Sequence, residues 1–180
     1  MKEKILVICI LMLMGSACQD KTSDLDEVLF ECYDSIYSKE GYDIKSIIDD
    51  YEHLLVKDGI LKDDSGSSYM EVWQKIVSDK DFRIQSSTFQ EYDPWQKVNR
   101  EIGVTVFECE YEMVESLKQK NSKMQKLFSG IGSLESSQNP DQTYQAMMEI
   151  LSEEDLNSYY FKLKMFRLFD MVNSKWENQP

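Results

Sequence analysis

A chain of 180 residues suits one domain with an apolar core, and its 42% hydrophobic and 12% aromatic content excludes global disorder. A formal net charge of −13 repels phosphate backbones and anionic head groups, which excludes nucleic acid as a partner and a basic patch as the route to a membrane. Only 7 Gly and 3 Pro punctuate the chain, so long helices are favoured over the frequent turns of a sandwich or barrel.

In chain order, residues 1–20 come first and read MKEKILVICILMLMGSACQD. Lys2 and Lys4 give a short positive start, Ile5 to Met14 is an unbroken apolar run, and the small residues Gly15, Ser16 and Ala17 precede Cys18. A run of that length makes about 15 Å of helix, half the hydrocarbon thickness. It therefore has the proportions of a signal peptide and not of a permanent span. Small residues followed at once by cysteine resemble the lipobox of bacterial lipoprotein precursors. The resemblance implies that the Cys18 thiol is diacylglycerated, that the chain is cut between Ala17 and Cys18, and that the new amine is acylated, palmitate being among the chains attached. Two or three such chains, at about 0.8 kcal/mol per buried methylene, anchor a protein stably where one is marginal. Residues 1–17 are then a lipoprotein signal peptide, 18–23 the lipidated Cys and a short polar tether, and 24–180 an acidic helical domain.

Gly15 stands where that family usually has Leu, and Gly15-Ser16-Ala17 also fits the small-x-small site of the general signal peptidase, so plain secretion is the other reading. Gln19 occupies the position of the Asp that retains enterobacterial lipoproteins in the inner membrane, so the resemblance points to the outer membrane over the inner. The acids after Cys18 are similar to surface-export signals of Bacteroidota lipoproteins. The expected location is the cell envelope, periplasmic or surface-exposed, with the membrane held through covalent lipid.

Along the mature chain, Leu25, Val28, Leu29, Cys32 and Ile36 recur at helical spacing and predict a helix over 24–39, with Gly41 as its stop. Ile44, Ile47, Ile48, Tyr51, Leu54 and Leu55 predict a second, capped by Asp43 and ended by Gly59. Ser68 and Glu71 read as a capping box ahead of Tyr69, Val72, Trp73, Ile76 and Val77. Periodicity is lost from Asp79 to Tyr92, which predicts a long connection. Asp93-Pro94-Trp95-Gln96 opens the next helix, running to about Asn121 with Val98, Ile102, Val106, Cys109, Met113 and Leu117 on one face. The β-branched run Val104-Thr105-Val106 leaves a short strand as the alternative there. Residues 129–138 read as a Ser/Gly-rich loop, and Asn139-Pro140-Asp141-Gln142 starts a helix carrying Tyr144, Met147, Met148 and Leu151. Ser152, with Asp155 three residues on, caps a last helix. It bears Phe161, Met165, Leu168, Phe169, Val172 and Trp176 on one stripe, with Leu156, Tyr159, Tyr160 and Leu163 beside it. The fold expected is all-α, an irregular bundle of about six helices.

Motifs for chemistry are sparse. With Cys9 in the signal and Cys18 lipidated, Cys32 and Cys109 remain on apolar helix faces, open between two buried thiols and a disulfide. No metal site is expected, since there is neither a Cys-x-x-Cys nor a His cluster, and no cofactor motif is present. His53, the single histidine, reads as a solvated surface residue. Residues 57–71 fail as a calcium loop, because Gly66 in the sixth place puts Leu61 first and Val72 twelfth, where carboxylates are needed. Asp63, Asp64 and Gly66 read as a turn instead. The carboxylate groups Asp49-Asp50, Glu108 with Glu110 and Glu112, and Glu153-Glu154-Asp155 read as solvated faces or helix starts, and no catalytic residue is assigned. Tyr92 and Trp95 are the two aromatics placed to line a sugar or peptide groove. The expected function is a non-enzymatic binding or scaffolding role toward another envelope component, an envelope protein among the candidates. Two alternatives stand beside it: an enzyme or enzyme accessory with an unrecognised cleft, and an immunity-like inhibitor whose acidic face covers a basic partner.

Overall fold

The computed structural model describes residues 23–79, 81–93, 100–118, 126, 145 and 148–177. Among them the chain is all helix and turn, with no strand, in the all-α arrangement expected. In order these are α1 (Ser23–Lys39), α2 (Ile44–Lys57), α3 (Gly66–Ser78), α4 (Phe89–Tyr92), α5 (Arg100–Lys118), a 3-10 turn (Asp155–Asn157) and α6 (Tyr159–Glu177). Outside the described residues lie the leader, Ala17, Cys18, the tether to residue 22, the proline-led starts at 94 and 140, Trp95, the 129–138 loop and, of the expected 144–151 stretch, residues 144, 146 and 147.

The first two helices end by the same chemistry. Tyr42 N donates to Tyr37 O and Gly41 N to Ser38 O, while Ile60 N donates to Leu55 O and Gly59 N to Val56 O. Both are Schellman closures, which satisfy the last carbonyls only if the residue after the cap takes positive φ; Gly41 is at 81° and Gly59 at 73°. At the start of α2 the Asp43 carboxylate accepts from Lys45 N and Ser46 N, both at 3.1 Å. Ile44, Ile48, Tyr51 and Leu55 form its buried stripe.

The start of α3 differs from the expected capping box. Asp63 Oδ1 accepts from Ser65 N at 3.1 Å and also holds the Ser65 hydroxyl, so the chain turns three residues early and Ser65 is the N-cap. Ser68 lies inside the helix, buried, its hydroxyl accepting from Lys62 N at 2.7 Å. Glu71 pairs with Lys62 at the surface instead. Gly66 is where α3 meets the segment before α6: its N–H donates to Asn157 Oδ1 at 2.6 Å, and a Cβ there would lie 1.8 Å from Glu153 O. The turn read at Asp63, Asp64 and Gly66 is thus also a packing contact.

Within the expected connection sits α4, one turn long. Thr88 supplies no side-chain cap; Asp170 of α6 accepts from Phe89 N at 2.8 Å and Gln90 N at 3.0 Å in its place. The β-branched run 104–106 is helical, not a strand, inside α5. Ser152 and Asp155 do exchange bonds, Ser152 N donating to Asp155 Oδ2 at 2.6 Å and Asp155 N to Ser152 Oγ at 3.4 Å. They close the turn that leads into the 3-10 segment, whose own N-cap is Glu154 without a side-chain bond, and α6 starts later, at Tyr159.

α6 is the hub, touching α1, α2, α4 and the 3-10 turn. Its Phe166 closes an aromatic cluster, 4.8 Å from the Tyr51 ring, 5.3 Å from Phe89 and 6.0 Å from Tyr69, with Phe169 stacked on Tyr69. Edge-on and tilted rings of this kind contribute beyond their buried area.

Candidate functional site

The ionised groups inside the bundle gather on α6, and each reaches a different neighbour. Lys162, buried, pairs with Glu52 of α2 at 2.7 Å, and Tyr69 of α3 donates to the same carboxylate at 2.6 Å. Lys164 pairs with Glu110 of α5 at 2.5 Å. Arg167 lies 3.5 Å from Asp93, which also accepts from the Tyr37 hydroxyl at 2.7 Å. Asp170 caps α4. Residues at 162, 164, 167 and 170 are spread around the helix at 100° per residue, so α6 presents polar anchors on several sides.

Glu110 is engaged by three side chains. Tyr33 of α1 donates to its Oε2 at 2.5 Å and Tyr160 of α6 to its Oε1 at 2.6 Å, while Lys164 Nζ also donates to the Tyr33 hydroxyl at 3.0 Å. Burial alone would raise the Glu110 carboxyl, but the Lys164 ammonium and the two phenols together hold it below its ordinary value. Burial pushes the Tyr33 and Tyr160 hydroxyls well up, and the Glu110 charge adds to that, so both remain donors. Burial draws the Lys164 ammonium down against the pull of Glu110. A carboxylate with this many donors is stabilised in its ionised form and is not poised as a general acid.

Beside this cluster Cys32 and Cys109 are joined, with the two Cα atoms 5.8 Å apart and 77 residues between them in the chain. The bond ties α1 to α5 one residue away from the Tyr33–Glu110 contact in each helix. Of the two readings left open by the sequence, the structure has the disulfide.

Glu110 is therefore not on a solvated face, as its neighbours Glu108 and Glu112 are. Asp49 also departs from that expectation, half-buried and accepting from the Tyr159 hydroxyl at 3.2 Å, whereas Asp50 is exposed. Asp155 is buried within its cap. His53 is exposed. Tyr92 packs its ring 5.3 Å from that of Tyr51 while remaining partly exposed. Among the described residues no group of three or more His, Cys, Asp or Glu side chains is arranged to hold a metal ion, and no helix is long and apolar enough to cross a membrane.

A second feature lies on the outer side of α5. Phe107, Tyr111 and Val104 are 67%, 57% and 50% exposed, and the Phe107 and Tyr111 rings stack at 6.4 Å. The inward stripe of α5 is the stronger pattern in the sequence and hides this face, whose only local trace is the i, i+3, i+7 spacing of these three residues. No protein-family model, curated protein or solved structure matches the chain.

Proposed function

We propose that this chain is a lipid-anchored protein of the bacterial cell envelope, held through Cys18, whose helical domain binds or scaffolds another envelope protein without catalysing a reaction. The observation that carries the anchor is Cys18 itself, placed directly after Gly15-Ser16-Ala17 and the apolar run from Ile5 to Met14. The acidic balance supports it from the other side, because a chain of net charge −13 has no electrostatic substitute for a covalent anchor. The Cys32–Cys109 bond fits an exported domain, since disulfides persist in oxidising compartments. The non-catalytic role is supported by how the ionised side chains of the interior are spent on one another, Glu52 on Lys162 and Glu110 on Lys164.

Replacing Cys18 by Ala is expected to abolish incorporation of labelled palmitate and to move the protein from the membrane to the soluble fraction. Undiminished membrane retention of Cys18→Ala would remove the anchor. Cross-linking in the native envelope tests the binding role separately, and a chain that cross-links to no protein there would remove it.

A further inference from the structure

The face of α5 that carries Val104, Phe107 and Tyr111 is not a stray patch of core. Val106 is buried on the side turned away from it, Cys109 is tied to α1, and Glu110 is held by Tyr33, Tyr160 and Lys164. These attachments fix the rotation of α5 about its own axis, so the two stacked rings cannot turn inward without breaking them. An aromatic pair held outward on a braced helix loses little freedom when it is covered, which favours its use as an anchor.

Charge selects the occupant. Glu108 follows Val104 by four residues and Glu112 follows Glu108 by four, so two exposed carboxylates run along one edge of the apolar face. A second copy of the chain would bring −13 against −13, and an anionic membrane surface would be repelled likewise. Val104 to Tyr111 spans two helical turns, the reach of a single i, i+3, i+7 stripe on a helix laid across it.

We infer that the outward face of α5, with Phe107 and Tyr111 as anchors and Glu108 and Glu112 along its edge, docks a basic amphipathic helix of another protein. This deepens the binding role proposed above and makes no use of the anchor.

The probe is a synthetic amphipathic peptide with leucines on one helical face and lysines on the other, added to the full chain in detergent, with detergent alone and a glutamate-for-lysine peptide as references. The lysine peptide is expected to bind, to bind more weakly as NaCl is raised, and to lose at least about tenfold in affinity to the Phe107→Ser, Tyr111→Ser double variant. Amides of residues 104–112 in the unaltered chain are expected to gain protection from hydrogen exchange when it binds, a readout that does not depend on how the variant folds. Equal affinity of the double variant, no added protection in α5, or equal binding of the glutamate peptide would overturn the inference. So would a dimer of the chain, or adherence to phosphatidylcholine vesicles, that the double variant abolishes. A chain that ignores the peptide yet cross-links through another face in the envelope loses this docking surface and keeps the binding role.

Discussion

Replacing Glu110 by Gln keeps the shape of the side chain and removes the charge that Lys164, Tyr33 and Tyr160 converge on. The variant leaves the Lys164 ammonium, most of it buried, without its counter-charge, at an expected cost of about 1–3 kcal/mol at neutral pH. Its pH signature is specific. The folded state holds the Glu110 proton less readily than the unfolded chain, because its carboxyl is lowered from 4.5. The stability it contributes is therefore complete above the ordinary carboxylate value and is lost as pH falls through the lowered folded value. Asp170 acts in the opposite sense: burial raises its carboxyl against the two backbone donors of α4, so its protonation favours the fold as pH falls. Urea midpoints of wild type and Glu110→Gln, measured from neutral pH down past the carboxylate range, separate the two. Wild type is expected to approach the variant as Glu110 protonates, and a gap that stays constant with pH would show that Glu110 is not held ionised by its neighbours.

At the scale of the element, α1 and α5 are far apart in the chain and are joined by Cys32–Cys109 across 77 residues. In the chain-entropy account a closure of that length restricts the unfolded state by about 4–5 kcal/mol. The Cys32→Ala, Cys109→Ala double variant is expected to lose a large part of that in urea unfolding, and reductant is expected to bring wild type down to the variant but leave the variant unmoved. Equal stability with and without reductant would mean that the two sulfurs are not bonded in the protein. The pairing also marks where sequence reading stops. Repeats such as Ile44, Ile48, Tyr51 and Leu55 are visible because burial of one helix face imposes the 3.6-residue period on local sequence. A bond between positions 32 and 109 leaves no local trace, and two cysteines on apolar faces fit free thiols equally well. Glu110, Lys162 and Lys164 were unreadable for a related reason: charge marks a residue as surface until a partner from a distant helix is seen, and Glu110 differs from Glu108 only by its angle on α5. At the start of α3, Ser65, Ser67 and Ser68 all have capping chemistry, so sequence alone does not single out Ser65; the Asp63 bonds to Ser65 decide among them. Neither Phe166 nor Lys162 belonged to the stripe read for α6, yet both are buried, because neighbours enclose that helix on several sides.

For the whole molecule, charge pairs withdrawn into the interior stand beside an overall excess of acid. The pairs of α6 with Glu52 and Glu110 are short and largely withdrawn from solvent, so mobile ions screen them little. The excess of 33 acids over 20 bases gives a formal net charge of −13, and this excess repels itself across the surface, a cost that falls mainly on the compact state. Raising NaCl from about 0.01 M to 0.15 M shortens the screening length from about 30 Å to about 8 Å, which damps the surface repulsion and spares the interior pairs. The chain is therefore expected to gain stability over that range at neutral pH, with a rise in Tm of about 2–4 °C for each 1 kcal/mol relieved. Calorimetry of the full chain in the two salts checks this, and the same rise is expected in Glu110→Gln, because the relieved repulsion lies elsewhere. A Tm that falls with salt would reverse the assignment, making attraction among exposed pairs such as Lys62–Glu71 outweigh repulsion. The magnitudes argue against that outcome: exposed pairs contribute at most about 1 kcal/mol each, and the acids left over after such pairing are what screening acts on.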